Sequence, residues 1–257
     1  MSAFLVWGVC FGDRCRALAP RWLRALTDIA GWRHDIVLLG DARIASLTHP
    51  RLKAIDLARD VQTRFPFLPE PWPAKTPTNL KPQIQFYVDL RRYDYLLYLD
   101  LDVLANNDRL EALVQSKCRR GVISVQQDII PISAGKTFTG RDTLSPEEKR
   151  RWADEAICAG MVGLPTHAAG LALLRDWQAA NRERKLAASD QANLIALLLR
   201  QYAGRWEYLG DTAIGRRLHR YDAALVHFSA GKDGLLRDYY RDILRLPEPE
   251  HEGPRDD

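Results

Sequence analysis

The stretch YDYLLYLDLDVLANND, residues 93–108, decides the fold, because an apolar run with the length of a buried strand ends in two carboxylates. In an extended backbone, side chains two residues apart share a face, which predicts Tyr98, Asp100 and Asp102 on one side and the intervening leucines on the other. Two like charges so close repel each other and lose water at the edge of an apolar sheet. A hard cation such as Mn²⁺ or Mg²⁺ removes both penalties and also holds phosphate. The doublet therefore predicts a metal site, although turn capping by Asp102 and pairing of Asp100 with an arginine are open alternatives.

The sequence on both sides of this stretch alternates strand-like and helix-like patterns. AFLVWGVC, HDIVLLGD and RLKAIDL have the length of strands, and RALAPRWLRALTDIAGW between the first two has helical spacing. Together they predict a βαβ opening and a parallel sheet. Farther along, NLKPQIQFYVDLRRY is predicted to be a helix, and GVISVQQDI and AALVHFS are predicted strands. The fold class is therefore α/β, with a mixed, mainly parallel central sheet flanked by helices.

The chain has 257 residues, which allows a large core in a single domain, here predicted over residues 1–246. Prolines recur throughout residues 62–79, which predicts an irregular excursion. Residues 128–144 form a long polar loop, and residues 247–257 are predicted to be a disordered tail.

Charge and cysteine usage limit the class of protein. A net charge of +4 is mild, and no dense Lys/Arg stripe marks a nucleic-acid footprint. No apolar run has the length of a membrane span, and no basic residue precedes the short apolar stretch at the N-terminus, so a secretory signal is not expected. The four cysteines form no CxxC pair and no zinc spacing, which favours reduced thiols and a cytoplasmic location.

Four segments, in the same order as in a known family, resemble the nucleotide-sugar glycosyltransferases of the GT-A fold, most of all glycosyltransferase family 8. Residues 78–113 resemble the helix, strand and Asp-x-Asp unit of that family, and ICAGMVGLP (157–165) resembles its Asn-Ala-Gly segment beside the donor sugar. SDQANLIALL (189–198) resembles its Asp-Gln helix start, and VHFSAGKD (226–233) its His-Phe-x-Gly-x-Lys segment. The resemblance extends over roughly residues 1–235.

This resemblance implies a metal-dependent transfer of a sugar from a nucleoside-diphosphate sugar, with UDP as the expected nucleotide, to a hydroxyl acceptor with retention. It implies Mn²⁺ or Mg²⁺ bound by Asp100, Asp102 and His227, and catalytic roles for Asp190 and Gln191. The ordinary alternatives are that Asp190 and Gln191 cap a helix and that His227 is a hydrogen-bonded core residue. The residues expected at the nucleotide and donor sugar are Gly12, Asp13, Lys81, Asp100, Leu101, Asp102, Cys158, Ala159, Gly160, Gly231 and Lys232.

Several of these assignments have ordinary alternatives in the sequence. Gly12 and Asp13 also suit a simple turn, and Lys81 suits the exposed first turn of a helix. Cys158 stands where the family has asparagine, which removes an amide from the sugar pocket.

The acceptor is expected to be a carbohydrate, a lipid-linked or a protein hydroxyl, contacted by the loop at residues 128–144. The helical pattern of residues 235–246 permits peripheral contact with the inner face of a membrane, although docking on the protein's own core is favoured. Nucleic acid is not an expected partner.

Two other functions stay open at this point. LYLDLDVL also resembles the nucleophile motif of haloacid dehalogenase-like phosphatases, with Asp100 as nucleophile, although that motif is expected after the first strand. A non-catalytic module that binds a nucleotide sugar is the second alternative, and the cysteine at position 158 favours it.

Overall fold

The computed structural model describes residues 2–57, 79–183, 189–210, 214–216 and 222–228, without the side chains of residues 13–16, 43, 168, 183 and 214–216. Several predictions concern parts of the chain outside these ranges: residues 62–78 of the Pro-rich excursion, Gly231, Lys232, the helix at 235–246 and the tail at 247–257.

The described chain alternates strands and helices, as the sequence predicts. The strands are β1 (Phe4–Cys10), β2 (Asp35–Gly40), β3 (Leu52–Asp56), β4 (Tyr95–Leu99), β5 (Val103–Ala105), β6 (Ile123–Gln127), β7 (Ile157–Pro165), β8 (Trp206–Tyr208), β9 (Ile214–Arg216) and β10 (Leu225–His227). The α-helices are α1 (Gly12–Arg24), α2 (Leu110–Arg120), α3 (Pro146–Arg151), α4 (Ala168–Glu183) and α5 (Asp190–Arg200). A π-helical turn (Ala25–Ile29) extends α1, and 3₁₀ turns cover Ala42–Ser46, Lys81–Phe86, Leu90–Arg92, Ile132–Ala134 and Thr137–Thr139.

The central sheet is mixed and mainly parallel, which confirms the predicted fold class. Its strand order is β3-β2-β1-β4-β7-β6-β8. The pairs β1–β2, β1–β4, β2–β3 and β6–β8 are parallel, whereas β7 is antiparallel to both of its neighbours, β4 and β6. The predicted βαβ opening is present as β1, α1 and β2. A small second sheet, β5-β10-β9, lies beside the carboxyl end of β4.

Apolar layers cover both faces of the sheet, because its central strands are buried on both sides. Trp7 and Tyr98 pack in one core with Trp177 of α4 and most of α5. Leu97 and Leu99 pack in the opposite core with residues of α1 and α2. The predicted alternation of leucines and tyrosines along β4 is therefore confirmed.

The predicted helix in NLKPQIQFYVDLRRY is wrong, since this segment forms two short 3₁₀ turns. The indole N–H of Trp7 donates to the carbonyl oxygen of Lys81 (2.9 Å), which is the acceptor that the amide of Gln85 would use in an α-helix. The buried tryptophan of β1 thus replaces a helical hydrogen bond.

The extended backbone predicted for the Asp100–Asp102 doublet is also wrong. β4 ends at Leu99, and the amide of Val103 donates to the carbonyl oxygen of Asp100 (2.9 Å), which closes a turn. The turn is required because the chain leaves the central sheet here and enters β5 of the second sheet. The two carboxylates therefore project from a turn at the sheet edge.

Candidate functional site

Polar side chains collect at one edge of the central sheet, where β4 and β6 end and β7 begins. Because β7 is antiparallel to both neighbours, its first residues lie at the carboxyl ends of β4 and β6. Asp100, Gln126 and Cys158 meet at this edge, which in open α/β sheets is the usual place for a ligand.

A β-bulge interrupts the pairing of β6 with β7 at this edge. Val125 faces Val162, but the next residue, Gln126, faces Cys158, so the β7 residues at 159–161 have no partner on β6. Bulges aim backbone and side-chain groups in new directions and are common beside active sites.

The backbone groups of the bulge bind two side chains and one backbone amide of the site. The amide of Ala159 donates to Oε1 of Gln191 (3.2 Å), and its carbonyl oxygen accepts from Nζ of Lys81 (2.9 Å). The carbonyl oxygen of Gly160 accepts from the amide of Asp100 (2.8 Å). The bulge therefore links the Asp-x-Asp turn to the start of α5.

Lys81 is a buried cation between two carboxylates. The residue is 3% exposed, and its Nζ lies 3.2 Å from Oδ1 of Asp100 and 3.0 Å from Oδ2 of Asp190. The ammonium also lies 4.9 Å from the ring centre of Tyr98, whose hydroxyl donates to Asp100. Burial lowers the pKa of Lys81, but the two carboxylates more than offset it, so that pKa is above its usual value. Lys81 therefore stays charged, and its three N–H groups have protein acceptors in Asp100, Asp190 and Ala159.

His227, at the end of β10, contacts the second aspartate of the doublet. Its Nε2 lies 3.4 Å from Oδ1 of Asp102, and its Nδ1 lies 2.8 Å from Oε1 of Gln126. The amide oxygen can only accept, so Nδ1 carries the proton and Nε2 faces the carboxylate.

His227 and Asp102 each stabilise the charged form of the other. Burial lowers the pKa of His227, but contacts with Asp102 and Cys158 raise it to about 10. Burial raises the pKa of Asp102, but His227 and Lys81 lower it, and its net value is below the usual range. The imidazolium therefore neutralises the carboxylate of Asp102, as a bound metal cation would.

Gly160 leaves a narrow gap where a side chain would be, and two of the predicted metal ligands, Asp100 and His227, lie beside it together with Cys158. A Cβ atom on this residue would lie 2.8 Å from Cε1 of His227, 3.1 Å from Oδ2 of Asp100 and 3.4 Å from Sγ of Cys158. Within the part of the chain that the structure describes, no three His, Cys, Asp or Glu side chains are arranged so that they could hold a metal ion. Carboxylates and an imidazole are ligands that a divalent cation takes, and metal binding by Asp100, Asp102 and His227 stays a prediction.

Asp190 and Gln191 lie at the start of α5, as predicted, but neither serves as the N-cap. The side chain of Ser189 caps the helix by accepting from the amide of Ala192 (3.2 Å). Gln191 donates from Nε2 to Oδ2 of Asp128 (3.3 Å) while its Oε1 binds the bulge. The capping alternative therefore does not account for Asp190 and Gln191.

Asp128 and Gln126 are site residues that the sequence reasoning missed. Both lie at the carboxyl end of β6, where a polar ending to an apolar strand was the available signal. Oδ1 of Asp128 also accepts from the amides of Ile129 and Ile130 (2.6 and 3.2 Å), which orients its other oxygen toward Gln191.

The remaining predicted donor-binding residues differ in what the structure says of them. Gly12 is exposed and begins α1 with φ +77°, so the expected turn after β1 is instead the first residue of a helix. The side chain of Asp13 lies outside the described residues. Leu101 is buried in the core on the α1 side of the sheet, so only its backbone is near the site.

The predicted acceptor loop at residues 128–144 folds into two 3₁₀ turns. It packs on α5, where the hydroxyl of Thr143 donates to the carbonyl oxygen of Ala192 (3.5 Å). Its first residue, Asp128, is the one that holds Gln191. The loop therefore lies beside the site, and its role toward an acceptor stays a prediction.

A surface pocket of about 270 Å³ opens elsewhere, at the amino ends of β2 and β3. In this pocket the hydroxyl of Tyr93 donates to Asp35 (2.6 Å), and Nζ of Lys53 donates to the carbonyl oxygen of Tyr87 (3.4 Å). These pairs hold surface segments together, and the catalytic candidates lie at the opposite ends of the strands.

The described helices include none with the length and apolar character needed to cross a bilayer. No protein-family model matches the sequence, and no curated protein matches it.

Solved structures with a similar architecture include glycosyltransferases. The galactosyltransferase LgtC, in complex with donor and acceptor sugar analogs, has a TM-score of 0.58 at 14% identity, over 93% of this chain and 91% of that chain. Another LgtC structure, with a TM-score of 0.57 at 14% identity over 88% of each chain, is an active-site mutant in which glutamate replaces glutamine. Mouse xyloside xylosyltransferase 1 has a TM-score of 0.58 at 13% identity, over 90% of this chain and 99% of its own. The bifunctional glycosyltransferase WbbM has a TM-score of 0.56 at 14% identity, over 90% of this chain and 46% of its own. The chain therefore has the GT-A fold of these glycosyltransferases.

Proposed function

We propose that this chain transfers a sugar from a nucleoside-diphosphate sugar, with UDP as the expected nucleotide, to a hydroxyl acceptor. The observation that carries the proposal is the gap over Gly160, which has Asp100 and His227 on its sides and lies on a glycosyltransferase fold. The haloacid dehalogenase-like alternative gains no support from the solved structures described above, which are sugar transferases.

Asp100, Asp102 and His227 would hold Mn²⁺ or Mg²⁺ in this site. The cation, when bound, neutralises the diphosphate leaving group of the donor. Gln126 keeps the proton of His227 on Nδ1, so that Nε2 is the nitrogen presented to the cation. Gly160 contributes by having no side chain where the ligands converge. Gly231 and Lys232 remain proposed contacts of the diphosphate.

Lys81 acts as a positioning residue in this proposal. Its contacts with Asp100 and Asp190 fix a metal-binding carboxylate relative to the carboxylate at the start of α5. The N–H groups of Lys81 already have protein acceptors. We therefore propose that Lys81 positions the two carboxylates and does not bind phosphate directly.

Asp190 and Gln191 are the proposed catalytic residues. In the reaction, the bond from the anomeric carbon to the diphosphate oxygen breaks, the acceptor oxygen bonds to that carbon, and the hydroxyl proton passes to the departing diphosphate. The sugar becomes positively charged at the transition state, and a carboxylate or amide oxygen facing it lowers the barrier. Gln191 is further supported by the LgtC active-site mutant, in which a glutamine is the altered residue. Retention is proposed from the family resemblance.

The acceptor is proposed to approach along the loop at residues 128–144, next to Asp128. A carbohydrate hydroxyl is supported by the LgtC complex with an acceptor sugar analog. Lipid-linked and protein hydroxyls, a cytoplasmic location and membrane contact through residues 235–246 remain predictions from the sequence.

Release of nucleoside diphosphate from a panel of nucleotide sugars tests the proposal. We expect Mn²⁺-dependent release from at least one UDP-sugar, lost with a chelator, restored by Mn²⁺ and absent in Asp102→Asn. Asp108→Asn is the matched control, because this carboxyl lies in the next loop, after β5, and is exposed. Tight binding of a nucleotide sugar without release would favour the binding-module alternative, and neither binding nor release would contradict the proposal.

A further inference from the structure

The thiol of Cys158 faces the same gap over Gly160 as the predicted metal ligands. Its Sγ lies 3.4 Å from the position of a Gly160 Cβ, beside Cε1 of His227 at 2.8 Å and Oδ2 of Asp100 at 3.1 Å. The residue is 4% exposed, so the thiol is inside the site and away from bulk water. The sulfur therefore belongs to the group of side chains around the gap.

Two groups lie close to the sulfur of Cys158. The amide of Gly160 donates to its Sγ (3.4 Å), and His227 lies against it.

We propose that the Cys158 thiolate is an additional ligand of the cation site, and that it shifts the metal preference toward thiophilic ions such as Zn²⁺ and Co²⁺. This inference rests on the cation site of the proposed function. Binding exchanges the thiol proton for the metal, M²⁺ + Cys–SH → Cys–S–M⁺ + H⁺, and the proton leaves to solvent. Carboxylate, imidazole and thiolate together are a donor set that zinc takes, whereas Mg²⁺ and Mn²⁺ prefer oxygen.

Titration of the metal-free full chain with Co²⁺ tests this ligand directly. A thiolate bound to Co²⁺ produces a charge-transfer absorption band in the near ultraviolet. We expect this band to saturate with one equivalent of Co²⁺ in the native protein and in Cys118→Ser, and to be absent in Cys158→Ser and Cys158→Asn. Zn²⁺ affinity should fall on the order of 10- to 100-fold in both Cys158 variants, while Mn²⁺ affinity changes less.

Cys158→Asn is the more informative variant, because it replaces the thiol with an amide and so keeps a polar side chain at this position without the sulfur. Circular dichroism of both variants reports whether they fold. Should both fail to fold, protection of one thiol from alkylation by Zn²⁺ in the native chain, identified by peptide mapping as Cys158, replaces the comparison.

The outcomes separate this inference from the proposed function. Cobalt binding that depends on Asp102 but gives no charge-transfer band would overturn sulfur ligation and leave the cation site intact. A band that persists in the Cys158 variants would overturn it as well. A band without release of UDP from any UDP-sugar would support sulfur ligation while counting against sugar transfer.

Discussion

The two sides of the site differ in how their carboxylates are balanced. On the Lys81 side, which consists of Lys81, Asp100 and Asp190, a permanent buried cation lies between two carboxylates. On the His227 side, which consists of Asp102, His227 and Gln126, the described positive charge is an imidazolium. The lysine holds the two carboxylates in fixed positions. A protonated imidazole can instead release its proton to solvent and bind a metal through the freed nitrogen. We infer that the first side holds the geometry and the second side exchanges ligands.

The largest expected effect comes from removing the fixed cation. Lys81→Met should lower the free energy of unfolding by about 3–5 kcal/mol, because it leaves the buried Asp190 and the half-buried Asp100 without their partner. Urea denaturation followed by circular dichroism measures the loss. Adding Asp190→Asn to this variant should recover part of the stability.

Lys53→Met is the control for loss of a lysine, because Lys53 is exposed and donates only a long hydrogen bond (3.4 Å) to the Tyr87 carbonyl in the described structure. Its effect should stay within about 0.5 kcal/mol. A loss below about 1 kcal/mol in Lys81→Met would mean that the two sides of the site do not differ as described.

The next effect should appear in turnover. Gln191→Glu keeps an oxygen for the amide of Ala159 but replaces the N–H that binds Asp128 with a second negative charge. Displacement of this group should lower kcat about 100-fold with a smaller change in KM. Steady-state release of UDP gives both constants, and Gln201→Glu, on an exposed residue at the end of α5, should leave them unchanged. A rise in KM at constant kcat would assign Gln191 to substrate binding alone.

Gly160→Ala tests the gap between the two sides. The added methyl group would lie 2.8 Å from Cε1 of His227, so it should cost about 1–3 kcal/mol of stability and abolish Mn²⁺-dependent protection against heat by UDP. Gly163→Ala on the same strand is the matched control, because its methyl group would clash with Ser124 and Tyr95. This control should be destabilised as well but should keep the Mn²⁺-dependent protection. Protection that survives in Gly160→Ala would place the cation elsewhere.

The smallest effect is expected at a surface ion pair that lies outside the site. Glu148 accepts from the guanidinium of Arg200 and from the amide of Ser145, which lowers its pKa to about 2. Because the pKa is lower in the folded protein, this stabilisation is complete above the usual value of 4.5 and is lost as pH falls toward 2. Glu148→Gln should cost about 0.5–1.5 kcal/mol at neutral pH and reduce the acid sensitivity of the urea midpoint.

Glu147→Gln is the control for this prediction, since Glu147 is 74% exposed and its pair with Arg151 is a surface contact. It should change the midpoint very little at any pH. Equal effects of the two variants would remove the distinction between a capping pair and an ordinary surface pair.

Part of the fold could be predicted from the sequence because strands such as β1 and β4 are apolar and buried over their whole length. The reversed direction of β7 could not be predicted, because ICAGMVGLP is buried on both faces and its residues encode no strand direction.

The candidate site was predictable only in part. Asp100 and Asp102 follow β4 and His227 ends β10, and the three were proposed from the pattern and the family resemblance. The burial of Lys81 could not be foreseen, because it depends on Asp190, which is distant in the sequence, and on a bulge that exposes the Ala159 carbonyl. Gln126 and Asp128 were missed because their importance comes from the neighbours that the bulge gives them.

The most direct test of the central claim is calorimetric titration with UDP, with and without Mn²⁺. For the native chain and Asp108→Asn, we expect Mn²⁺ to strengthen UDP binding at least on the order of tenfold, because the cation adds about 1.4 kcal/mol or more between the carboxylates and the phosphates. Asp102→Asn should bind UDP equally with and without Mn²⁺. UDP affinity in the native chain that is the same in Mn²⁺ and in chelator, or a metal effect that survives in Asp102→Asn, would contradict the account.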